Sequence, residues 1–125
     1  LPAVVTASGL AMLARLSLAQ VRALFPNAAA FVETDRGPAT PTALRQLLSD
    51  VRNRGHATEA DSVTSGFSSV AQAVLDHTRH PAAAIAVTYV GDEVNHQGEA
   101  RLVDAVNGAA AQLSRRLGFR PTPQA

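Results

Sequence analysis

Hydrophobic positions recur with a helical period in four parts of the chain. The clearest case predicts a helix over residues 40–54, in which Thr40 caps the start, Pro41 fills the first turn and Gly55 ends the helix. The same period predicts a helix opened by Thr6 or Ser8, a short helix over residues 17–25, and a long helix over residues 98–117. We therefore expect helices to cover much of the surface of the domain.

Two other segments alternate with the period of a β-strand. Residues 67–75 and 82–90 are predicted to form strands, and the polar residues 76–81 are predicted to join them as a hairpin turn. Residues 1–5 predict a third, short extended segment, whereas residues 56–66 predict a polar loop. The predicted fold class is α+β, with helices packed on a small antiparallel sheet. Three strands are few for so many helices, so we expect an N-terminal part of the domain to be missing.

One face of the predicted hairpin carries only small side chains through its middle. Side chains alternate across a strand, and the small set is Ser69, Ala71, Ala84, Ala86 and Thr88. The opposite set is predicted to supply core volume: Val70, Val74, Ile85, Val87 and Tyr89. The small face is either a pocket floor, with hydroxyls that orient a ligand, or a surface on which a helix packs closely. Residue types alone favour close packing, and the sequence does not fix the register of the two strands.

Two further candidates for binding chemistry come from the predicted helix start and the polar loop. Ser8 and Gly9 would offer backbone N–H groups to an anion, or would simply cap the helix. Glu59 and Asp61 could accept ligand hydroxyls, act as a general acid and base, or be solvated, and solvation is the favoured interpretation.

The hairpin turn contains a small cluster of potential metal ligands. His77, His80 and Asp76 fall within five residues of each other, but their spacing lacks a zinc-binding signature, and we interpret them as a solvent-facing turn. The chain also lacks a Gly-rich phosphate loop and a nucleophile elbow. We therefore expect no metal, no cofactor and no enzymatic activity.

The amino-acid composition excludes several classes of protein. The chain has 125 residues, 46% of them hydrophobic, which is enough for one domain with a core. Eleven basic and ten acidic residues nearly cancel, so no strong field attracts nucleic acid or an anionic membrane. The absence of cysteine excludes disulfides and thiol chemistry, and no apolar run is long enough to cross a membrane. We expect a cytoplasmic protein.

Several sequence blocks together resemble one protein family. The blocks are TASGLAMLA at residues 6–14, LRQLLSDVRNRGHA at 44–57, GFSSVAQAVLD at 66–76, AIAV at 84–87 and AQLSRRLG at 111–118. In their order and spacing they are similar to the C-terminal effector-binding domain of IclR-type bacterial transcription regulators. The resemblance covers residues 1–118 and implies a sensor fold related to GAF and PAS modules. Residues 119–125, beyond the resemblance, are predicted to be a disordered tail.

The resemblance also implies a function and a set of site residues. Such regulators bind small organic acids or aromatic compounds, form dimers or tetramers, and contact operator DNA through an N-terminal winged helix-turn-helix that is absent here. The implied ligand contacts are Ala7, Ser8, Gly9, Glu59, Phe67, Ser69, Ala86 and Thr88. Ala86 stands where the family often has serine, which implies a larger or more apolar acid. The alternative is a GAF-like dimerisation module with a closed pocket and no ligand.

Overall fold

A three-stranded antiparallel sheet lies between helices in the computed structural model, which describes residues 2–31, 36–61 and 63–122. The strands are β1 (Ala57–Ala60), β2 (Phe67–Leu75) and β3 (Pro81–Val90). The helices are α1 (Ala7–Leu13), α2 (Leu18–Leu24), α3 (Pro41–Arg54) and α4 (His96–Arg116). Short 3-10 helices occupy Ala3–Val5, Ala28–Ala30 and Gly91–Glu93. The predicted α+β class is confirmed.

The helices begin and end where local side chains satisfy the free backbone groups. Thr40 Oγ1 accepts the Ala43 N–H of α3 at 3.1 Å, and Gly55 ends that helix with a φ of 86°. Ser17 and Gln20 form the reciprocal capping box that starts α2. The predicted boundaries of these two helices are confirmed to within one or two residues.

The strands are ordered β1-β2-β3, and their register brings the small residues of the two long strands together. Ser69 lies opposite Thr88, Ala71 opposite Ala86 and Ala73 opposite Ala84. Directly opposed residues of an antiparallel pair lie on the same face. Both small sets therefore form one continuous face, a point that the sequence left open.

The two faces of the sheet are covered by different helices. On the small-residue face α1 packs against all three strands, and a buried cluster there joins Leu10 of α1 to Leu44 and Leu48 of α3 and to Ala71 of β2. On the other face, α4 contacts β2 and β3, and Gln72 Nε2 donates to Asn107 Oδ1 at 3.1 Å. The core thus consists of two layers separated by the sheet.

A buried serine connects α4 to the end of β2. Ser114 Oγ donates to the Ala110 carbonyl at 2.7 Å and accepts the Leu75 N–H at 2.9 Å. The register of β2 and β3 shifts between Val74 and Leu75, which takes the Leu75 N–H out of the regular ladder. The Ser114 hydroxyl supplies the hydrogen-bond partner that this bulge would otherwise remove.

Two predictions about the sheet are wrong. Residues 3–5 form a 3-10 helix instead of a strand, while Leu1 lies outside the described residues. Ala57–Ala60, predicted to belong to a polar loop, form β1 because they pair with residues 68–71 of β2. Pairing with a distant segment overrides the weak strand propensity of these four residues.

The predicted core positions are only partly buried. Val70 and Val74 of β2 are buried, whereas Ile85, Val87 and Tyr89 of β3 are half-buried. The difference arises because β2 is the central strand, with neighbours on both sides, while β3 is an edge strand of the described sheet.

The segment after α4 folds back on the β2–β3 turn. The Arg79 guanidinium lies 4.8 Å from the centre of the Phe119 ring, and it donates to the Arg120 carbonyl at 2.9 Å. Phe119 and Arg120 of the predicted disordered tail are thus held in place, while residues 123–125 lie outside the described residues.

Candidate functional site

A pocket of about 370 Å³ opens between the start of α1, the loop before β2 and the small-residue face of the sheet. Three separate parts of the chain meet there. The pocket is lined by Thr6, Ala7, Ser8, Glu59, Val63, Thr64, Phe67, Ser69, Ala86 and Thr88. Seven of the eight predicted site residues belong to this set, and Gly9 does not.

The α1 side of the pocket is built by a capped helix start. Thr6 has extended backbone angles, and its Oγ1 accepts the Gly9 N–H at 3.0 Å. This settles which of the two predicted caps is used. The next two residues, Ala7 and Ser8, face the pocket, and Ala7 is buried.

Gly9 has a packing role. A Cβ placed at this position would lie 2.6 Å from the Cα and 2.7 Å from the carbonyl carbon of Ala3. These distances are shorter than any that real Cβ atoms tolerate, so Gly9 allows the Ala3–Val5 turn to approach α1 closely. Gly9 is not among the residues that line the pocket, and its contact with a ligand stays a prediction.

The sheet side of the pocket presents a row of polar side chains across all three strands. Glu59 of β1 lies opposite Ser69 of β2, which lies opposite Thr88 of β3. The hydroxyls of Ser69 and Thr88 are hydrogen-bonded at 2.8 Å. Ser69, in the middle of the row, is buried with 8% of its surface exposed, whereas Thr88 at the β3 end is exposed.

The loop between β1 and β2 forms the third wall. Asp61 holds the loop, because its Oδ1 accepts the Gly66 N–H at 2.6 Å and its own N–H donates to the Phe67 carbonyl at 3.0 Å. The wall itself consists of Val63 and Thr64, which sequence analysis missed. Their polar surroundings carry no signal that distinguishes a pocket wall from an ordinary solvated loop.

The small-residue face serves both of the roles that the sequence left open, at different places. Ala57, Ala71 and Ala73 are buried, and Ala57 and Ala71 belong to the core cluster beneath α1. Ala86 and Thr88 of the edge strand β3 are exposed and line the pocket, although Ala86 lies directly opposite Ala71. Ala57 and Ala71 on β1 and β2 thus serve close packing, while Ala86 and Thr88 on β3 belong to the pocket floor.

The charge of the pocket comes from one group. Glu59 is the single ionisable side chain among the described residues that line it, and the rest are hydroxyl-bearing or apolar.

The histidine-containing turn has a structural explanation. Asp76 Oδ1 accepts hydrogen bonds from the Thr78 N–H at 2.8 Å, the Thr78 hydroxyl at 2.6 Å and the His80 N–H at 3.1 Å. These bonds, the Thr78 hydroxyl first, hold the pKa of the Asp76 carboxyl below its usual range. In the described part of the chain, no group of three or more His, Asp or Glu residues is placed to hold a metal ion.

Comparison with known proteins identifies the family. Residues 1–115 match the family described as "Bacterial transcriptional regulator IclR C-terminal". The chain therefore belongs to this family of transcription regulators, as the sequence blocks predicted. The helices in the described residues are all too short or too polar to cross a membrane.

Individual relatives agree with this assignment. The chain is 33% identical over 115 residues to the glycerol operon regulatory protein of Streptomyces coelicolor, which covers 90% of this chain and 44% of that protein. The structure is similar to the Agobacterium tumefaciens repressor BlcR, with a TM-score of 0.84, 27% identity, and coverage of 95% of this chain and 49% of that one. The Thermotoga maritima IclR shares the fold, with a TM-score of 0.80, 22% identity, and coverage of 95% and 48%. The chain thus spans less than half the length of these relatives.

Proposed function

We propose that the pocket between α1 and the sheet is the effector site of a transcription regulator. A small organic molecule binds there and changes the affinity for operator DNA of a winged helix-turn-helix elsewhere in the protein. One observation carries this proposal: seven positions implied by the family resemblance, drawn from three separate segments, line a single pocket. Seven positions chosen at random would be spread over the surface of the domain instead of lining one pocket.

The size and lining of the pocket support a small-molecule ligand. Its volume of about 370 Å³ lies in the lower part of the range of roughly 300–1,000 Å³ that is typical of ligand sites. Apolar walls from Ala7, Val63 and Phe67 surround a few polar groups on the sheet. That combination buries the carbon skeleton of a ligand and orients its polar atoms.

The family resemblance implies organic acids and aromatic compounds as the first ligand classes to test. The Streptomyces relative is named for a glycerol operon, which adds polyols to the panel. The protein is proposed to act in the cytoplasm as a homodimer or tetramer, with no cofactor and no catalytic step.

The proposed signal passes through α1. Its first turn lines the pocket, while Leu10 and Leu13 of its later turns are buried in the core with Leu44 of α3. A ligand changes operator affinity only to the extent that it binds one arrangement of the protein more tightly than the other. A tenfold change in operator affinity requires a difference of about 1.4 kcal/mol between the two arrangements.

The alternative, a dimerisation module with a closed pocket, has less support because the pocket is open to solvent. Filling the pocket tests the two functions directly. In the intact protein, Ser69→Phe should abolish thermal stabilisation by organic acids, aromatic compounds and polyols. Because Ser69 is buried and its replacement could disturb folding, Ala86→Phe serves as a second filling variant on an exposed position.

The matched control is Ala82→Phe, which adds the same side chain to an exposed position of the same strand outside the pocket lining. The control should keep the ligand response and the ligand-dependent change in operator binding measured by gel shift. Equal ligand responses in Ala86→Phe and Ala82→Phe would reject the pocket as the effector site.

A further inference from the structure

We propose that a second pocket, beside the last residues of β2, binds a small anion with several charged oxygens, such as phosphate or a short dicarboxylate. This anion pocket lies between β2, the second half of α4 and the segments that follow α1 and α4. Its polar lining residues are Arg15, Gln72, Asn107, Ser114 and Arg115. It shares no lining residue with the proposed effector pocket, so it is a separate site.

The anion pocket lies where β2 has lost one of its neighbours. β1 pairs with β2 no further than Ala71, and beyond that point no strand in the described part of the chain lies on that side. The Leu75 N–H there donates to Ser114 Oγ at 2.9 Å, and the Ala73 N–H donates to Gln72 Oε1 at 2.9 Å. Because side chains already occupy these backbone donors, the space suits a compact ligand better than an added strand.

Two arginines supply the charge of the anion pocket. Arg15 follows α1, and Arg115 lies in the last turn of α4. Neither guanidinium is hydrogen-bonded or ion-paired to another of the described residues, and none of the described lining residues is Asp or Glu. A guanidinium has five N–H donors and no acceptor. Two of them on one small pocket can therefore bind the same anion.

The side-chain amide of Asn107 adds a further donor. Gln72 Nε2 donates to Asn107 Oδ1 at 3.1 Å and also to the Gly55 carbonyl. The first bond fixes the orientation of the Asn107 amide, which leaves its Nδ2 without a partner among the described residues. The protons of the Gln72 amide and the Ser114 hydroxyl are already donated. The side-chain groups that remain free are therefore donors, which favours an anionic ligand.

The nearby end of α4 does not cancel this preference. The C-terminal end of a helix carries a partial negative charge. Here the Phe119 N–H donates to the Ser114 carbonyl at 2.9 Å, and the Gly118 N–H donates to the Arg115 carbonyl at 3.0 Å. The last carbonyls are thus occupied, and Arg115 and Arg116 in the same turn offset the remaining dipole.

The size and the apolar walls of the anion pocket limit the ligand. Its volume is about 160 Å³, below the range of roughly 300–1,000 Å³ typical of sites for larger organic ligands. Leu75, Ala110 and Phe119 supply apolar walls, and the contact of Arg79 with the Phe119 ring holds the last wall in place. Apolar surroundings strengthen the attraction between a guanidinium and an anion. A phosphate or a four-carbon dicarboxylate fits these limits, whereas a nucleotide is too large.

Calorimetry on the intact protein at constant ionic strength tests the proposal with phosphate, sulfate and succinate. We expect at least one of the three to bind. Arg15→Gln and Arg115→Gln should each weaken that binding about tenfold, because a hydrogen bond between charged groups has about that magnitude. The matched control is Arg116→Gln, which removes the same charge from the next residue of α4, outside the lining, and should leave binding unchanged.

Asn107→Asp tests the donor character of the anion pocket. The substitution keeps an oxygen that can accept the bond from Gln72, but it replaces the free Nδ2 donor with a charged oxygen. We expect it to weaken anion binding by more than tenfold, because it adds like-charge repulsion to the loss of a hydrogen bond. A melting curve close to that of the unaltered protein shows that the variant is folded.

The outcomes identify the ligand and separate this proposal from the proposed function. Binding of phosphate and sulfate without succinate would identify a tetrahedral oxyanion, and binding of succinate alone would identify a dicarboxylate. Equal losses in Arg115→Gln and Arg116→Gln would show general attraction to a basic surface and would overturn the proposal. Binding lost in Ala86→Phe but kept in Arg115→Gln would assign the anion to the effector pocket and would also overturn it. No binding of any of the three anions would reject the anion pocket and leave the effector site untouched.

Discussion

Replacing Gly9 by alanine should destabilise the domain, although the same change stabilises most helices. Two effects oppose each other at this position. Alanine has a higher helix propensity than glycine by up to about 1 kcal/mol. Against this, the new Cβ would lie 2.6 Å from the Cα of Ala3, a backbone atom that cannot rotate away.

The steric effect should dominate. Overpacking of a well-packed site costs about 1–3 kcal/mol, and a clash with backbone belongs at the upper end of that range. Subtracting the gain in helix propensity leaves a net loss of about 2 kcal/mol for Gly9→Ala. For a domain of this size such a loss lowers the melting temperature by roughly 6–8 °C.

Gly108 provides the matched control. It lies within α4 and is exposed, and a Cβ there would meet no atom within 4 Å. Gly108→Ala should therefore gain the helix propensity alone, about 1 kcal/mol, and raise the melting temperature by about 3 °C. Urea denaturation of both variants gives the free energies of unfolding, and calorimetry gives the melting temperatures.

One result of comparing Gly9→Ala with Gly108→Ala would refute this reasoning. If Gly9→Ala were as stable as Gly108→Ala, then the close approach of the Ala3–Val5 turn to α1 would not constrain this position. The assignment of Gly9 to packing within the domain would then be rejected.

Two further predictions concern groups away from the pocket. Ser114→Ala should lower the free energy of unfolding by about 1–3 kcal/mol in urea titrations, because it leaves the buried Leu75 N–H without an acceptor; an unchanged value would contradict the role of this serine. Burial, with a smaller effect of Arg54, lowers the pKa of His56 below 6.5, and its Nδ1 has no hydrogen-bond partner among the described residues. The unfolded chain therefore protonates first, so stability should be full above about pH 6.5 and fall as the pH drops through that value. His56→Gln should flatten this decline in melting curves between pH 7 and 5, and an unaltered decline would exclude His56 as its source.

Local signals were enough to predict most helices and the hairpin. Caps and stops act within a few residues of the backbone groups they satisfy, so Thr40, Ser17 and Gly55 mark helix ends in any tertiary context. Alternation over nine or ten residues likewise identified β2 and β3.

The errors arose where a distant partner decides the structure. Ala57–Ala60 form a strand because β2 lies beside them, and the backbone at residues 3–5 turns because Gly9 lets it approach α1. The strand β1 matters for the site, because it carries Glu59 to the same row as Ser69. Glu59 was identified through the family resemblance. Its position on a strand was not predictable, because the four residues of β1 show little of the alternation that marks a strand.

The division of the small-residue face has an evolutionary consequence. The alanines beneath α1 are constrained by stability, since a larger side chain at Ala57 or Ala71 would force the helix off the sheet. Ala86 and Thr88 are exposed, so substitutions there cost little folding energy and alter the pocket directly. Under the proposed function, effector preference can therefore diverge among descendants by changes on β3 while the scaffold stays the same.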